Sequence, residues 1–216
     1  MGIKTNSWIR LLLLAALTVH AGEILTVGNF SEGDLKNWKT KSFAGQTYYQ
    51  FAKLNDRTVL KAESKASASG LFKEIEVNVA KTPYLHWCWQ LIQPLPPLPE
   101  TSKPGDDYAA RIYLVKKGGL AFWRTRALNY VWSSSQAKES LWPNAFAGDN
   151  VMMLAVRNAK DKPGQWRCEK RDLRADWQRV FGKPAEKIDV IAIMTDSDNS
   201  KKSTAAYYGD IWFSED

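Results

Sequence analysis

The feature that most limits how this chain can fold is a series of short runs in which apolar residues recur at every second position. The clearest run covers 84–91. Leu85, Trp87, Trp89 and Leu91 fall on one side, and Tyr84, His86, Cys88 and Gln90 on the other. A strand turns successive side chains to opposite faces, so a period of two predicts a half-buried strand. Ala110, Ile112 and Leu114 define a second inward face, with Arg111 and Tyr113 opposite. Runs at 47–53 and 58–64 flank the turn Leu54-Asn55-Asp56-Arg57. Further strands are predicted at 71–79, 127–133, 151–157, 165–171, 187–195 and 204–213. Short strands at this spacing argue for a sandwich or a barrel.

One helix interrupts the pattern. Leu173, Trp177, Val180 and Phe181 stand at helical spacing, Asp172 suits an N-cap, and Gly182 followed by Pro184 stops the turn, so the helix is placed at about 172–182. The segment 94–104 holds five of the nine prolines and reads as a stiff, extended connection.

The first 21 residues look like an export signal. Lys4 and Arg10 precede an apolar run at 11–19, and Val19 and Ala21 supply small residues at a cleavage site. A spanning helix needs about 18 or more apolar residues, and this run has nine. The expectation is a periplasmic or secreted protein whose mature chain, 22–216, forms a single β-sandwich domain without a membrane span. Loss of Lys4 and Arg10 lowers the formal charge from +7 to +5. Such a mild excess could draw in an anionic envelope polymer; interspersed acids and bases also read as ordinary surface charge. No nucleic-acid pattern is present, and the oligomeric state is left open.

Scarce residue types exclude chemistry. His86 is the only histidine beyond the signal, so multi-histidine zinc sites and two-histidine mechanisms are ruled out. No G-x-x-x-x-G-K, H-E-x-x-H or G-x-S-x-G pattern occurs. Ser133, Ser134 and Ser135 offer hydroxyls, but their single available imidazole is His86. Cys88 and Cys168 could form a disulfide in an oxidising compartment or remain two buried thiols.

Carboxylates and aromatics supply the candidate site. Asp106 and Asp107 open a strand, and Asp107, Ala109 and Arg111 are placed on one face of it. Asp196, Asp198 and Ser200 show the one-three-five oxygen spacing of a calcium loop, yet Lys201 stands where that loop needs glycine and Tyr207 where it needs glutamate. The alternative is a turn held by Asp and Asn side chains. Trp87 and Trp89 are assigned to the core. Leu128, Tyr130 and Trp132 share one face, with Asn129 on the other. Trp142-Pro143-Asn144 is read as a loop, where the tryptophan is either a sugar-stacking ring or a lid on the core.

Several stretches resemble an uncharacterised family of exported bacterial proteins, domain of unknown function 3047. They are Lys65-Ala66-Ser67-Ala68-Ser69-Gly70-Leu71, Gly105-Asp106-Asp107-Tyr108-Ala109-Ala110-Arg111, Arg126-Ala127-Leu128-Asn129-Tyr130-Val131-Trp132, Trp142-Pro143-Asn144, Met194-Thr195-Asp196-Ser197-Asp198-Asn199 and Tyr207-Tyr208-Gly209-Asp210-Ile211. The resemblance implies no activity. More loosely, Asn29, Leu35 and Trp38 and the closing Gly209-Asp210-Ile211-Trp212-Phe213 resemble jelly-roll carbohydrate-binding modules. In those modules a structural calcium often ties the last strand to the first, and Asp210 is the matching residue. No other cofactor is expected.

The resulting expectation is an antiparallel β-sandwich of jelly-roll type that binds a glycan or envelope polymer without cleaving it. The ligand residues would be Asp106, Asp107, Arg111, Asn129, Trp132, Trp142, Asp196, Asp198 and Asn199. The rivals are a polysaccharide-cleaving enzyme using the same carboxylates, or Tyr130 and Arg111 as base and charge neutraliser, and a purely structural envelope protein.

Overall fold

The computed structural model describes residues 22–216; the export signal expected at 1–21 lies outside the described residues. The strands are β1 (Ile24–Gly28), β2 (Trp38–Ala44), β3 (Tyr48–Leu54), β4 (Arg57–Lys65), β5 (Ala68–Asn78), β6 (Tyr84–Gln93), β7 (Arg111–Lys116), β8 (Arg126–Trp132), β9 (Leu141–Asn144), β10 (Gly148–Arg157), β11 (Arg167–Asp172), β12 (Lys187–Asp196) and β13 (Ser203–Ser214). The helix α1 (Leu173–Phe181) lies between β11 and β12.

The strands form two sheets. One runs β11-β6-β13-β4-β3, with β1 also paired to β13; the other runs β2-β5-β12-β7-β8-β10-β9. Successive strands β4, β5, β6 and β7 alternate between the two sheets, as do β12 and β13, which is the wrapping of a jelly-roll sandwich. Alternation puts every second residue of each strand inside. Leu85, Trp87 and Trp89 of β6 meet Ile112, Leu114, Leu128 and Tyr130 of β7 and β8, all fully buried. Trp87 stacks on Tyr130 at 5.2 Å between ring centres, and Trp89 meets Trp132 at 5.8 Å. Each such side chain contributes roughly 1.5–3 kcal/mol by leaving water.

The helix ends as its sequence predicts. The Asp172 carboxylate accepts from the Ala175 amide at 2.9 Å, and Gly182 takes the left-handed conformation at φ 78°. Cys88 and Cys168 lie directly opposite each other on β6 and β11 and form a disulfide. No described helix is long and apolar enough to cross a membrane.

Three expectations are corrected. The sandwich is not wholly antiparallel, because β10 pairs with β8 in parallel. The hairpin β9–β10 docks on β8 through its second strand, so β10 runs the same way as β8. Trp142, Pro143 and Asn144 lie on strand β9, not on a loop. Strands β1 and β2 were also missed. β2 is an edge strand whose Lys39 and Lys41 protect an open edge and hide any apolar alternation.

Candidate functional site

The site lies on the outer face of the seven-stranded sheet. Gly105 starts it: a Cβ there would stand 2.5 Å from the Pro99 backbone, so the proline-rich segment packs this closely only against glycine. Glu100 within that segment is fully buried, and its carboxylate accepts from the Ser133 hydroxyl and from the Ser134 amide and hydroxyl. Ser133 and Ser134 therefore anchor a loop. His86 is elsewhere, hydrogen-bonded to Ser214 at 2.8 Å and stacked on Trp212.

Past Gly105 the chain delivers Asp106 and Asp107 and then enters β7 at Arg111. Arg111 pairs with Asp196 of the neighbouring β12 and not with Asp107. Its guanidinium lies 5.1 Å from the ring centres of both Tyr108 and Tyr113. The other Asp196 oxygen accepts from the Tyr108 amide at 3.1 Å. Asp107 holds the turn after β12. One of its oxygens accepts from the Asn199 amide and side chain, both at 3.1 Å, and the other from the Ser200 amide at 2.6 Å. Asp106 accepts from the Asn144 side chain at 2.7 Å through one oxygen; its second oxygen, Oδ1, is buried without a partner.

Burial dominates the electrostatics. It raises the Asp196 carboxyl, against the lowering pull of Arg111, with the Asp107 and Asp106 charges adding to the rise. Burial raises Asp106 too, and raises Asp198, where the Asp107 charge acts in the same direction. Burial pulls the Arg111 guanidinium down, but Asp196, Tyr113, Asp106 and Tyr108 together outweigh it, so Arg111 is raised and stays charged.

These side chains surround a cleft of about 490 Å³. Asp106, Arg111, Asp196, Asp198 and Asn199 line it, and Asp107 lies behind them. Besides Asp107, three expected residues do not line it. Trp132 sits in the central core, its indole N–H donating to the Asn158 carbonyl at 3.2 Å. Trp142 is 5% exposed and packs with Tyr108, Val131, Met153 and Ala155 in a small second core beside the cleft. Asn129 is fully buried and reaches Met153 Sδ at 3.3 Å. Tyr130 faces the sandwich interior and donates to Asp176 at 2.7 Å, so it cannot work with Arg111, which faces the opposite way.

The sequence reading missed Phe43, Phe146, Tyr113 and Asn144, which also line the cleft. Phe43 and Phe146 are 67% and 58% exposed. A bulky aromatic ring left in water at a cleft rim is the signal that could have singled them out, but exposure is not visible in a sequence.

Residues able to hold a metal fall in the same place. Asp107, Asp196 and Asp198 each offer an oxygen, and these atoms lie within 4.8 Å of one another. Asp210 stands apart. A register shift between Tyr208 and Ile211 turns it toward Ser31, whose amide and hydroxyl donate to its two oxygens at 2.8 and 2.6 Å. Asp210 thus ties the last strand to the segment after β1 by hydrogen bonds.

Residues 36–212 match the family described as Protein of unknown function (DUF3047). The chain belongs to the DUF3047 family. No curated protein matches this DUF3047 sequence significantly. Among solved structures, the DUF3047 fold is similar to a family 11 carbohydrate-binding module from Clostridium thermocellum in complex with a beta-1,3-1,4-mixed-linked tetrasaccharide. Identity is 11%, the TM-score is 0.48, and the match covers 89% of this chain and 95% of that one. It is also similar to the CBM22-1–CBM22-2 tandem domain of Paenibacillus barcinonensis Xyn10C, with 12% identity, TM-score 0.42 and coverage of 93% and 51%. A Bauhinia forficata lectin in complex with GalNAc matches with 10% identity, TM-score 0.41 and coverage of 90% and 98%. Likenesses at this level assign no residue role to the DUF3047 chain.

Proposed function

We propose that this protein is an exported, non-catalytic binding protein for a glycan, and that the cleft between Phe43 and Phe146 holds it. The observation that carries the reading is the pairing of two exposed aromatic rings with a floor of carboxylate and amide groups. A sugar ring has an apolar face and a hydroxylated edge. The rings suit the first, and Asp106, Asp198, Asn144 and Asn199 suit the second. The volume, about 490 Å³, is within the range of small-molecule sites.

Binding is preferred over cleavage because the carboxylates are already engaged. Asp196 is held by Arg111 and a backbone amide, and Asp107 by a turn. The floor carries more carboxylates than cations, so a neutral glycan fits it better than an anionic polymer, despite the net positive charge of the whole chain. Export is supported by the signal pattern at 1–21 and by the Cys88–Cys168 disulfide.

Affinity electrophoresis through gels containing soluble neutral or acidic polysaccharides tests the reading. Retardation by a neutral polysaccharide is expected, and Phe43→Ala or Asn144→Ala should abolish it. Free migration in every gel would leave the purely structural role standing. Shortening of the polysaccharide during the run would favour the enzyme.

A further inference from the structure

The hairpin between β7 and β8 carries apolar side chains outward. Residues 120–123 are four apolar residues in a row. Leu120 is fully exposed and Trp123 is 62% exposed. A solvated apolar tip of this kind marks a surface that meets a partner or a membrane. Hydrogen bonds close the turn on itself. The Ala121 amide donates to the Gly118 carbonyl at 3.2 Å, and the Arg124 amide to the Ala121 carbonyl at 2.8 Å. The Gly118 amide donates to the Thr125 hydroxyl at 3.1 Å, and Arg126 donates to the Trp123 and Thr125 carbonyls at 3.3 Å. A Cβ at Gly118 would collide with the Ala121 carbonyl oxygen, so glycine lets the turn close this tightly. Built in this way, the turn leaves Leu120 standing clear of the sandwich.

The charge around the tip identifies what it meets. The segment 116–126 holds Lys116, Lys117, Arg124 and Arg126 and no carboxylate. Lys117 and Arg124 are exposed. Neighbouring strands do supply acids. Glu74 pairs with Lys117 at 2.8 Å, and Asp189 accepts from the Lys117 amide at 2.7 Å and pairs with Lys187 at 3.2 Å. Exposed Asp149 of β10 adjoins Asn150, which accepts from Arg126. The loop itself stays basic on both sides of its apolar tip. Leucine and tryptophan flanked by lysine and arginine suit a bilayer with anionic headgroups. The aliphatic side chain enters the acyl boundary, the indole rests at headgroup level, and the cations meet the phosphates.

We propose that the β7–β8 hairpin docks this protein onto an anionic lipid surface through Leu120 and Trp123. Arg111 opens β7 and the hairpin leaves after Lys116, so five residue steps of about 3.3 Å set the base of the loop roughly 17 Å from Arg111. A protein docked by this tip would hold its cleft close above the bilayer. The contact is peripheral and needs no spanning segment. It does not depend on the glycan reading, because its test uses vesicles and no glycan.

Co-sedimentation of the mature chain with vesicles of phosphatidylglycerol and phosphatidylcholine, set against phosphatidylcholine alone, decides the matter. Binding should be stronger on the anionic vesicles and should weaken as salt rises. Leu120→Ser should weaken it about tenfold or more, and Arg124→Gln about fivefold. Both side chains stand in water, so both variants should keep the wild-type melting temperature. Tyr48→Ser removes a similarly exposed ring from the edge strand β3 and should leave binding unchanged. Equal binding to both kinds of vesicle, binding to neither, or full binding by Leu120→Ser overturns the proposal. So does self-association in equilibrium sedimentation that Leu120→Ser abolishes while vesicles stay unbound, which would assign the tip to a second copy of the chain.

Discussion

The Arg111 guanidinium and the Asp196 carboxylate are paired inside the protein, with their side chains only 4% and 2% exposed. Two strands that are neighbours in the sheet, β7 and β12, are linked by charge as well as by their ladder. Met194 Sδ also accepts from Arg111 Nη2 at 3.3 Å. Removing one partner strands the other in a dry site. Arg111→Met should therefore destabilise the fold by about 3–5 kcal/mol. Chemical denaturation measures it, and the double variant Arg111→Met/Asp196→Leu should recover much of the loss.

The two kinds of aromatic should respond in opposite ways. Trp142 is buried against Tyr108, so Trp142→Ala should cost about 3–5 kcal/mol of stability. Phe43 stands mainly in water, so Phe43→Ala should stay within about 0.5 kcal/mol of wild type while glycan retardation is lost. Equal stability of the two variants would contradict the placement of Trp142.

Trp142 shows why the candidate site was only half legible in the sequence. A Trp-Pro-Asn triplet looks like a loop, because proline cannot continue a central ladder. β9 is an edge strand, where proline is tolerated. The acids were legible because Asp106, Asp107, Asp196 and Asp198 cluster in turn-like stretches at strand ends. The rim was not, because Phe43 and Phe146 look like any other apolar residue until the surface exists.

Reduction of the Cys88–Cys168 disulfide should lower the melting temperature. The bond closes a loop of 80 residues, worth about 4 kcal/mol in the chain-entropy model. Melts with and without reductant, with thiol titration of the unfolded chain, check this. Free thiols in the oxidised protein would contradict it.

Glu100 should impose a pH dependence. Burial raises its carboxyl above 4.5, outweighing the hydrogen bonds from Ser133 and Ser134. Above pH 4.5 the unfolded chain loses this proton while the native chain still holds it. The stabilisation is therefore complete below about pH 4.5 and is lost as pH rises through the raised value. Melting temperatures of wild type and Glu100→Gln, followed upward from pH 4.5, should show a shallower fall in the variant. Parallel curves would mean that Glu100 ionises normally in the folded protein.

The sequence by itself determined the β-sandwich class, the course of most strands and the capped helix. Those follow from local rules: alternation fixes which face is buried, and a cap needs only its own turn. It also marked the acids that gather at the site. Only the tertiary structure decided that Arg111 pairs with Asp196 and not with Asp107, that β10 runs parallel to β8, that Cys88 lies opposite Cys168, and that Trp132 and Trp142 belong to cores while Phe43 and Phe146 rim the cleft. Each of these depends on which strands become neighbours. That choice is made by packing two sheets around one apolar interior, and residues far apart in the chain meet only once it is made.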